Sequence, residues 1–191
     1  MDQNLDDTAL WSKAKAGEGD AFASIFDRHR ARVLRHSVSL TGNLADAEDV
    51  LAVAFFEAWR KRNSVRVVDG SILPWLLVTA TNTSHNLTRA ARRYQQLLAR
   101  LPVAEDIRDP TANDDGNIAA AAMRSLSMND QRILTVCVIE GLSERSAAAV
   151  LGIPPGTVKS RLFRAKKRLA RLITNVPTSE VTPLRGEPYA Y

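Results

Sequence analysis

The stretch Gly152–Leu169, "GIPPGTVKSRLFRAKKRL", places helix-breaking residues directly before a dense run of positive charge. Proline lacks a backbone N–H group and fixes φ, so a helix tolerates it only in the first turn. The stretch therefore predicts a break followed by a helix that begins near Pro155. Between Lys159 and Arg168 this helix carries six Lys or Arg residues and no acid, which favours a negatively charged partner.

The residues before this stretch predict a shorter helix that meets the basic helix at a steep angle. Ser143 is a favourable N-cap for the segment "ERSAAAVL", and Gly152 is a favourable end. A short helix, a glycine-containing turn and a longer second helix make a helix-turn-helix. The turn at Gly152 therefore allows the basic helix to leave the shorter helix at a steep angle and to project from the domain.

The basic helix has an apolar side and a polar side, because its residues advance by about 100° each. The side that must pack against the preceding helices comprises Val158, Leu162, Ala165, Leu169 and Ile173. The opposite side, which we expect in the major groove of DNA, comprises Thr157, Lys159, Ser160, Arg161, Arg164 and Lys167. Arginine pairs with guanine edges, serine and threonine are permissive readers, and lysine mostly anchors phosphates.

The alternative interpretation is a solvated amphipathic helix in an ordinary bundle. Such a helix usually mixes charges of both signs at i,i+4 spacing. Here no acid occurs between Glu144 and Glu180, so DNA binding is the favoured interpretation.

The charge changes sign along the chain and divides it into segments. Residues 21–101 have a net charge of +6 and residues 117–173 one of +7, whereas 102–116 between them have −4. The acidic segment, "PVAEDIRDPTANDDG", contains two prolines and a glycine and is typical of a flexible linker. We therefore predict a first domain over 1–101, a linker over 102–116, a second domain over 117–173 and a tail over 174–191.

The composition is that of a globular intracellular protein. Among 191 residues, 45% are hydrophobic and 25% are charged, and the net charge is +5. No apolar run is long enough to span a bilayer, and the acidic start "MDQNLDDTAL" lacks the pattern of a secretion signal. The single cysteine, Cys137, lies in an apolar run and is expected to fill the core. We therefore expect a cytoplasmic protein without membrane insertion.

The apolar residues recur at helical spacing, which predicts an all-α fold. Only the short segment 64–71, "SVRVVDGS", is typical of a strand. The first domain is predicted to have a helix capped by Asp20, a helix that starts after "GNLADAED" and ends near Arg62, and a helix from near Ser71 to about Arg93. The second domain is predicted to have helices at about 117–126, 129–140, 143–151 and 155–173.

Three segments together resemble one family of proteins. Residues 141–169, "GLSERSAAAVLGIPPGTVKSRLFRAKKRL", are similar to region four of bacterial sigma factors, especially the extracytoplasmic-function (ECF) group. Residues 40–61, "LTGNLADAEDVLAVAFFEAWRK", and 71–93, "SILPWLLVTATNTSHNLTRAARR", resemble two helices of region two. A region-two motif followed by a region-four motif, in the family's order, is more specific than either motif alone. The resemblance covers about residues 20–101 and 117–173.

The resemblance implies two functional surfaces in the first domain. Residues matching the helix that binds the largest subunit of RNA polymerase are Asp46, Glu48, Asp49, Val50 and Phe55. Residues matching the helix that reads the melted minus-ten element are Asn82, Asn86, Arg89, Arg92 and Arg93. Amides suit exposed base edges and arginines suit the backbone of a single strand. Simple helix capping by the acids, or decoration of a solvated helix by the amides, remains the alternative.

The sequence departs from the family at a few positions. Ala52 and Val53 stand where relatives usually carry a glutamine and an acid, which implies altered polymerase contacts or an apolar patch for another partner. Asn86 stands where many relatives carry an aspartate, and Ala147 replaces a larger apolar residue. Trp59 and Trp75 have the spacing of core residues and are expected to pack rather than to stack on bases.

The function implied is that of a promoter-specificity subunit that binds core RNA polymerase and promoter DNA, with an anti-sigma protein as a candidate partner. The alternative is a stand-alone helix-turn-helix regulator with a helical interaction domain. Catalysis is disfavoured, because His29, His36 and His85 are scattered and no phosphate-binding glycine loop is present. We expect neither a metal nor a cofactor.

Overall fold

The computed structural model of the protein describes residues 5–98 and 118–174. In these ranges the fold consists of helices joined by loops. The α-helices are α1 Asp7–Lys15, α2 Gly19–Thr41, α3 Leu44–Arg60, α4 Leu73–Leu98, α5 Ile118–Ser125, α6 Met128–Leu134, α7 Glu144–Leu151 and α8 Pro155–Thr174. A π-helical turn, Thr135–Ile139, continues α6. The strand-like segment 64–71 forms only an isolated bridge between Val68 and Ser71. The prediction of an all-α protein is therefore confirmed.

Helices α1 to α4, here called the first unit, enclose an apolar core rich in aromatic rings. The rings of Phe26 and Phe55 meet edge to face with centroids 4.8 Å apart, and those of Phe22 and Trp59 lie 5.0 Å apart. Trp59 and Trp75 pack against this core, as the spacing predicts. The aromatic contacts hold α3 against α2.

Two helix starts in the first unit differ from the sequence-based expectation. The N-cap of α2 is Glu18, whose side chain makes no capping bond, and Asp20 lies inside the first turn. Helix α3 begins at Leu44, earlier than expected, because the Asn43 side chain accepts a hydrogen bond from the Asp46 N–H at 2.7 Å. The helix α1 was not predicted at all.

Helices α5 to α8, here called the second unit, contain the predicted helix-turn-helix. The Ser143 hydroxyl accepts a hydrogen bond from the Ser146 N–H at 3.1 Å, and Gly152 ends α7 in the left-handed conformation with φ of 65°. Such a φ costs little only for glycine. Ala147 is fully buried, and Cys137 packs at the edge of the core. The local signals therefore form the turn where they were predicted to.

The two units are in contact with each other. Leu40 of α2 and Val78 of α4 are buried in the same apolar cluster as the core of the second unit. Helix α4 packs against α6, the π-helical turn and α7. The predicted linker, 102–116, and the tail beyond residue 174 lie outside the described residues, so the division into domains stays a prediction.

Candidate nucleic-acid interface

The side of α8 predicted to face DNA, here called the α8 arc, presents a cationic surface to solvent. Its members divide into the exposed Lys159, Ser160, Arg164 and Lys167 and the half-buried Thr157 and Arg161. On the opposite side, Val158 and Ala165 are fully buried and hold α8 against the rest of the second unit. Burial of the apolar side thus fixes which side of the helix is free to bind.

Two interactions on α8 constrain its polar side chains. The Arg164 Nε donates a hydrogen bond to the Ser160 backbone oxygen at 3.2 Å, so its guanidinium lies along the helix surface. The Arg168 guanidinium forms an ion pair with Asp130 of α6. Asp130 is almost completely buried, so Arg168 anchors the helix, while the cations of the arc remain available for DNA.

Phe163 is a candidate DNA-contacting residue that the sequence analysis passed over. Its side chain is 70% exposed, and it projects between the lysines of the α8 arc. A single exposed apolar residue is ordinary on a protein surface, but Phe163 lies four residues from both Lys159 and Lys167 and therefore shares their side of α8. The signal was present in the sequence, since Phe163 is the one aromatic residue of the stretch Gly152–Leu169.

The candidate minus-ten residues lie along α4, but not all of them are accessible. Asn86, Arg89, Arg92 and Arg93 are exposed, whereas Asn82 is half-buried. The Asn82 Oδ1 is buried and has no hydrogen-bond partner in the part of the chain that is described. The row of amides and cations therefore exists, with the carbonyl oxygen of its first amide buried.

Asn82 and Asn86 line a groove of about 490 Å³ between α3, α4 and the second unit. From the second unit, Arg132 and Val150 contribute to its wall. Burial, and then the nearby charge of Arg161, lower the pKa of Arg132, and its Nε also lacks a partner among the described residues. Two residues that line the groove thus each have a buried polar atom, one an acceptor and one a donor, without a hydrogen-bond partner among the described residues.

A second cavity, of about 540 Å³, is lined by cations from both units. Arg89 and Arg92 of α4 face Arg124 of α5 across it, and His85 lies on the same wall. Arg124 is held in place because it donates a hydrogen bond to the Ser39 backbone oxygen at 3.2 Å. The cationic surface of α4 therefore continues to the boundary between the units.

The candidate polymerase-binding residues of α3 separate into two groups. Glu48 and Asp49 are exposed and Asp46 is half-buried, where it accepts a hydrogen bond from the Asn43 amide at 2.8 Å. Val50 and Phe55 are 0% and 4% exposed and belong to the core. The prediction that these two contact a partner is corrected: they hold α3 in place, because their helix faces point inward.

The exposed apolar residues of α3 are Val53 and Phe56, at 41% and 63% exposure. They follow Asp49 at i+4 and i+7, so the three share one side of the helix. Ala52, the other departure from the family pattern, is exposed beside them. An apolar patch next to an acidic turn therefore replaces the buried pair as the surface that a partner can reach.

Both halves of the chain match families of known proteins. Residues 25–94 match the family described as Sigma-70 region 2, and residues 117–169 match Sigma-70, region 4. The ECF RNA polymerase sigma factor SigM of Mycobacterium tuberculosis is 32% identical over 168 residues, which cover 87% of this chain and 84% of that protein. This chain belongs to the ECF group of sigma factors.

A further relative of this sigma factor is the ECF RNA polymerase sigma factor BldN of Streptomyces coelicolor. It is 28% identical over 170 residues, which cover 86% of this chain and 64% of BldN. The chain thus spans a little under two thirds of the length of BldN.

Solved structures support the fold of this sigma factor. The structure of CnrH in complex with the cytosolic domain of CnrY matches with a TM-score of 0.60 and 25% identity, over 88% of this chain and 97% of that one. The sigma factor RpoE in complex with the anti-sigma factor NepR from Bartonella quintana matches with a TM-score of 0.56 and 23% identity, over 81% and 98%. Within the described residues of the sigma factor, no helix combines the length and apolar character needed to cross a membrane.

Proposed function

We propose that this chain is a promoter-specificity subunit that binds core RNA polymerase, recognises promoter DNA and supports strand opening at transcription initiation. The observation that carries the proposal is the presence, in one chain of this family, of two cationic surfaces with different chemistry. The α8 arc suits the major groove of a duplex, and the amides and arginines of α4 suit an unpaired strand.

The α8 arc is proposed to bind the minus-thirty-five element. Its exposed lysines would hold phosphates, and Arg161 and Arg164 would reach base edges. The α4 row is proposed to bind the minus-ten element once its strands separate, with Asn82 and Asn86 on the bases and the arginines on the backbone. Opening the duplex costs a few kcal/mol per unstacked base, which contacts to the freed strand must offset.

Core polymerase is proposed to bind α3 through Glu48, Asp49 and the adjoining Val53 and Phe56. Acidic side chains give specificity for a basic partner surface, and the exposed apolar pair supplies area that is removed from water on binding. The known complex of RpoE with the anti-sigma factor NepR supports an anti-sigma protein as a further proposed partner. The role is one of binding and positioning, without a catalytic group or cofactor, in the cytoplasm where polymerase and DNA meet.

The test is transcription by a reconstituted complex. The purified chain is mixed with core polymerase and a pool of random-sequence duplexes, and the start sites of the transcripts are mapped. We expect starts at a fixed distance from a shared pair of upstream motifs, and none with core polymerase alone. A stand-alone helix-turn-helix regulator would instead bind duplex DNA tightly by itself and leave transcription by core polymerase unchanged.

A further inference from the structure

The cavity of about 540 Å³ beside α4 and α5 combines an apolar inner wall with a cationic mouth. Leu40 of α2 and Leu126, which follows α5, line it and are only 5% and 6% exposed. Arg89 and Arg92 of α4, both exposed, and the half-buried Arg124 of α5 line it as well. Its volume lies within the range of small-molecule sites, about 300–1,000 Å³.

The three arginines at the mouth are not neutralised by the protein. In the part of the chain that is described, no acidic residue lines the cavity and no ion pair involves Arg89, Arg92 or Arg124. The Arg124 Nη1 donates a hydrogen bond to the Ser39 backbone oxygen at 3.2 Å, which holds this guanidinium in place. Guanidinium groups present forked N–H donors that match phosphate oxygens. The mouth therefore suits an anion with several phosphate oxygens.

The hydroxyl groups that line the cavity have the opposite hydrogen-bonding character. The hydroxyls of Ser84, Thr88 and Ser125 each donate to the backbone oxygen four residues earlier, at 2.9–3.0 Å. A hydroxyl group has a single hydrogen, so these three oxygens can only accept a further bond. Acceptors suit the O–H groups of a sugar or the N–H groups of a base, and they do not suit an inorganic anion.

We infer that this cavity is a binding site for a nucleoside polyphosphate. The base packs against Leu40 and Leu126, the sugar or base donates to the hydroxyl oxygens, and the phosphates lie between the three arginines. Hydrogen bonds between charged groups are about twice as strong as neutral ones, so the phosphates supply most of the affinity. An inorganic phosphate or an uncharged nucleoside uses only part of the site.

The ligand shares two cations with the proposed minus-ten surface. Arg89 and Arg92 cannot hold the phosphates of a nucleotide and of a melted strand at the same time, so the two compete. This consequence rests on the proposed function of α4, whereas the binding site itself does not. Arg124 belongs to α5, outside the α4 row, so its replacement affects the nucleotide alone.

The first test measures ligand binding to the full-length chain without DNA. Isothermal titration calorimetry compares ATP and GTP with tripolyphosphate and with adenosine. We expect one nucleotide to bind with one molecule per chain, about tenfold or more tightly than tripolyphosphate, because its base removes apolar surface from water. Adenosine, which lacks the phosphates, should bind more weakly still. If tripolyphosphate bound as tightly as both nucleotides, the assignment of a nucleoside ligand would be overturned.

The second test removes one charge from the mouth of the cavity. Arg124→Gln should weaken nucleotide binding about tenfold or more, because a charge-assisted hydrogen bond is lost. The matched control is Arg145→Gln, which removes the same charge from an exposed position on α7 outside the cavity. The control should retain the wild-type affinity. Equal losses in the two variants would show attraction to the overall positive charge and would overturn the site.

The third test fills the cavity without changing its charge. Ala121 is half-buried and lines the cavity, so Ala121→Phe places a ring where the base is expected. Nucleotide affinity should fall to that of tripolyphosphate, and the affinity for tripolyphosphate should not change. Ala119→Phe, at an exposed position of α5, is the control, and circular dichroism checks the helix content of both variants. Wild-type nucleotide affinity in Ala121→Phe would reject this cavity as the site.

Competition with a single strand separates this inference from the proposed function. A nucleotide at saturating concentration should weaken binding of a single-stranded minus-ten oligonucleotide to the wild type, and should do so much less in Arg124→Gln. If the oligonucleotide did not bind even without nucleotide, the proposed role of α4 would fail, and titration alone would decide the nucleotide site. If the oligonucleotide bound and no nucleotide did, this inference would fail and the role of α4 would stand.

Discussion

At the scale of single residues, Phe163 is an apolar side chain set among cations on the α8 arc. An aromatic ring at this position suits contact with the methyl group of a thymine in the major groove. We predict that replacing one thymine of the upstream element with deoxyuracil weakens binding by about 0.8 kcal/mol, the value of one buried methylene-sized group.

The same base change should have no effect on the Phe163→Ala variant, since the methyl group then has nothing to pack against. Fluorescence anisotropy with holoenzyme and paired oligonucleotides measures both losses. Equal losses in the wild type and the variant would assign the thymine methyl to another residue.

The cations of the α8 arc are expected to differ in what they read. If Arg161 or Arg164 pairs with a guanine, its replacement by alanine costs about 1–3 kcal/mol of discrimination at one promoter position. Lys167→Ala should weaken binding to all sequences alike and flatten the salt dependence. Binding to a panel of single-base promoter variants at several salt concentrations decides between these roles, and a uniform loss in all three variants would exclude base readout by these arginines.

At the scale of elements, α4 is predicted to be the part that holds the melted strand. The double variant Asn82→Ala, Asn86→Ala should fail to open a duplex promoter, because the freed bases lose their hydrogen-bonding partners. Permanganate footprinting of the holoenzyme on duplex and pre-melted templates measures opening and strand retention. Asn63→Ala, an exposed amide of the first unit, is the control, and normal opening by the double variant would remove α4 as the reader.

Helix α3 is predicted to bind core polymerase through its exposed side. Asp49→Arg reverses a charge beside the apolar patch and should weaken core binding about tenfold or more, because like charges at an interface cost several kcal/mol. The helix content by circular dichroism should not change, since Asp49 is exposed. Asp27→Arg, which makes the same charge change on α2, is the control. If Asp49→Arg bound core polymerase with the affinity of the wild type, this surface of α3 would be excluded.

At the scale of the whole molecule, buried titratable groups make folding sensitive to acid. His36 belongs to α2, and its Nε2 is 2.9 Å from the hydroxyl of Thr81 on α4. That hydroxyl donates to the Leu77 backbone oxygen at 2.8 Å, so it accepts a hydrogen bond from His36. Burial, and then the charge of Arg32, lower the pKa of His36 from 6.5 to about 4.

The lowered pKa of His36 predicts a loss of stability in mild acid. Below pH 6.5 the unfolded chain takes up a proton that the folded chain excludes until pH 4, so the free energy of unfolding falls as the pH falls through this range. Urea unfolding from pH 7 to pH 4 should show a decrease of about 2–3 kcal/mol. His36→Gln should flatten that slope, and an unchanged slope would assign the acid sensitivity to other groups.

Asp7 makes a second contribution to the free energy of unfolding that is lost in acid, at a lower pH than the contribution of His36. Burial alone would raise its pKa, but hydrogen bonds from His29, the Ile72 N–H and Arg28 outweigh burial and hold the pKa well below the usual range. The stabilisation by this carboxylate is therefore complete above about pH 4 and is lost as the pH falls further. The contact also joins α1 to α2 and to the start of α4.

The sequence by itself determined the features that depend on neighbouring residues. Ser143, Gly152 and Pro155 act on the backbone within a few residues of themselves, so the helix-turn-helix and the direction of the α8 arc follow from local chemistry. The period of the apolar residues likewise predicts helices and their inward sides. The helix α1 was not predicted because the start of the chain, "MDQNLDDTAL", was interpreted only as an acidic end. The fold buries Leu10 and the following Trp11.

Only the tertiary structure decided which side chains remain available. Val50 and Phe55 carry the family pattern but are buried by α2 and α4, and Val53 and Phe56 are left for a partner. The pairing of Arg32 with Glu140 joins residues 108 positions apart, and no local pattern encodes such a contact. Burial and packing between units depend on surfaces that meet only after the helices have formed, so the contact of the second unit with α4 is a property of the folded chain.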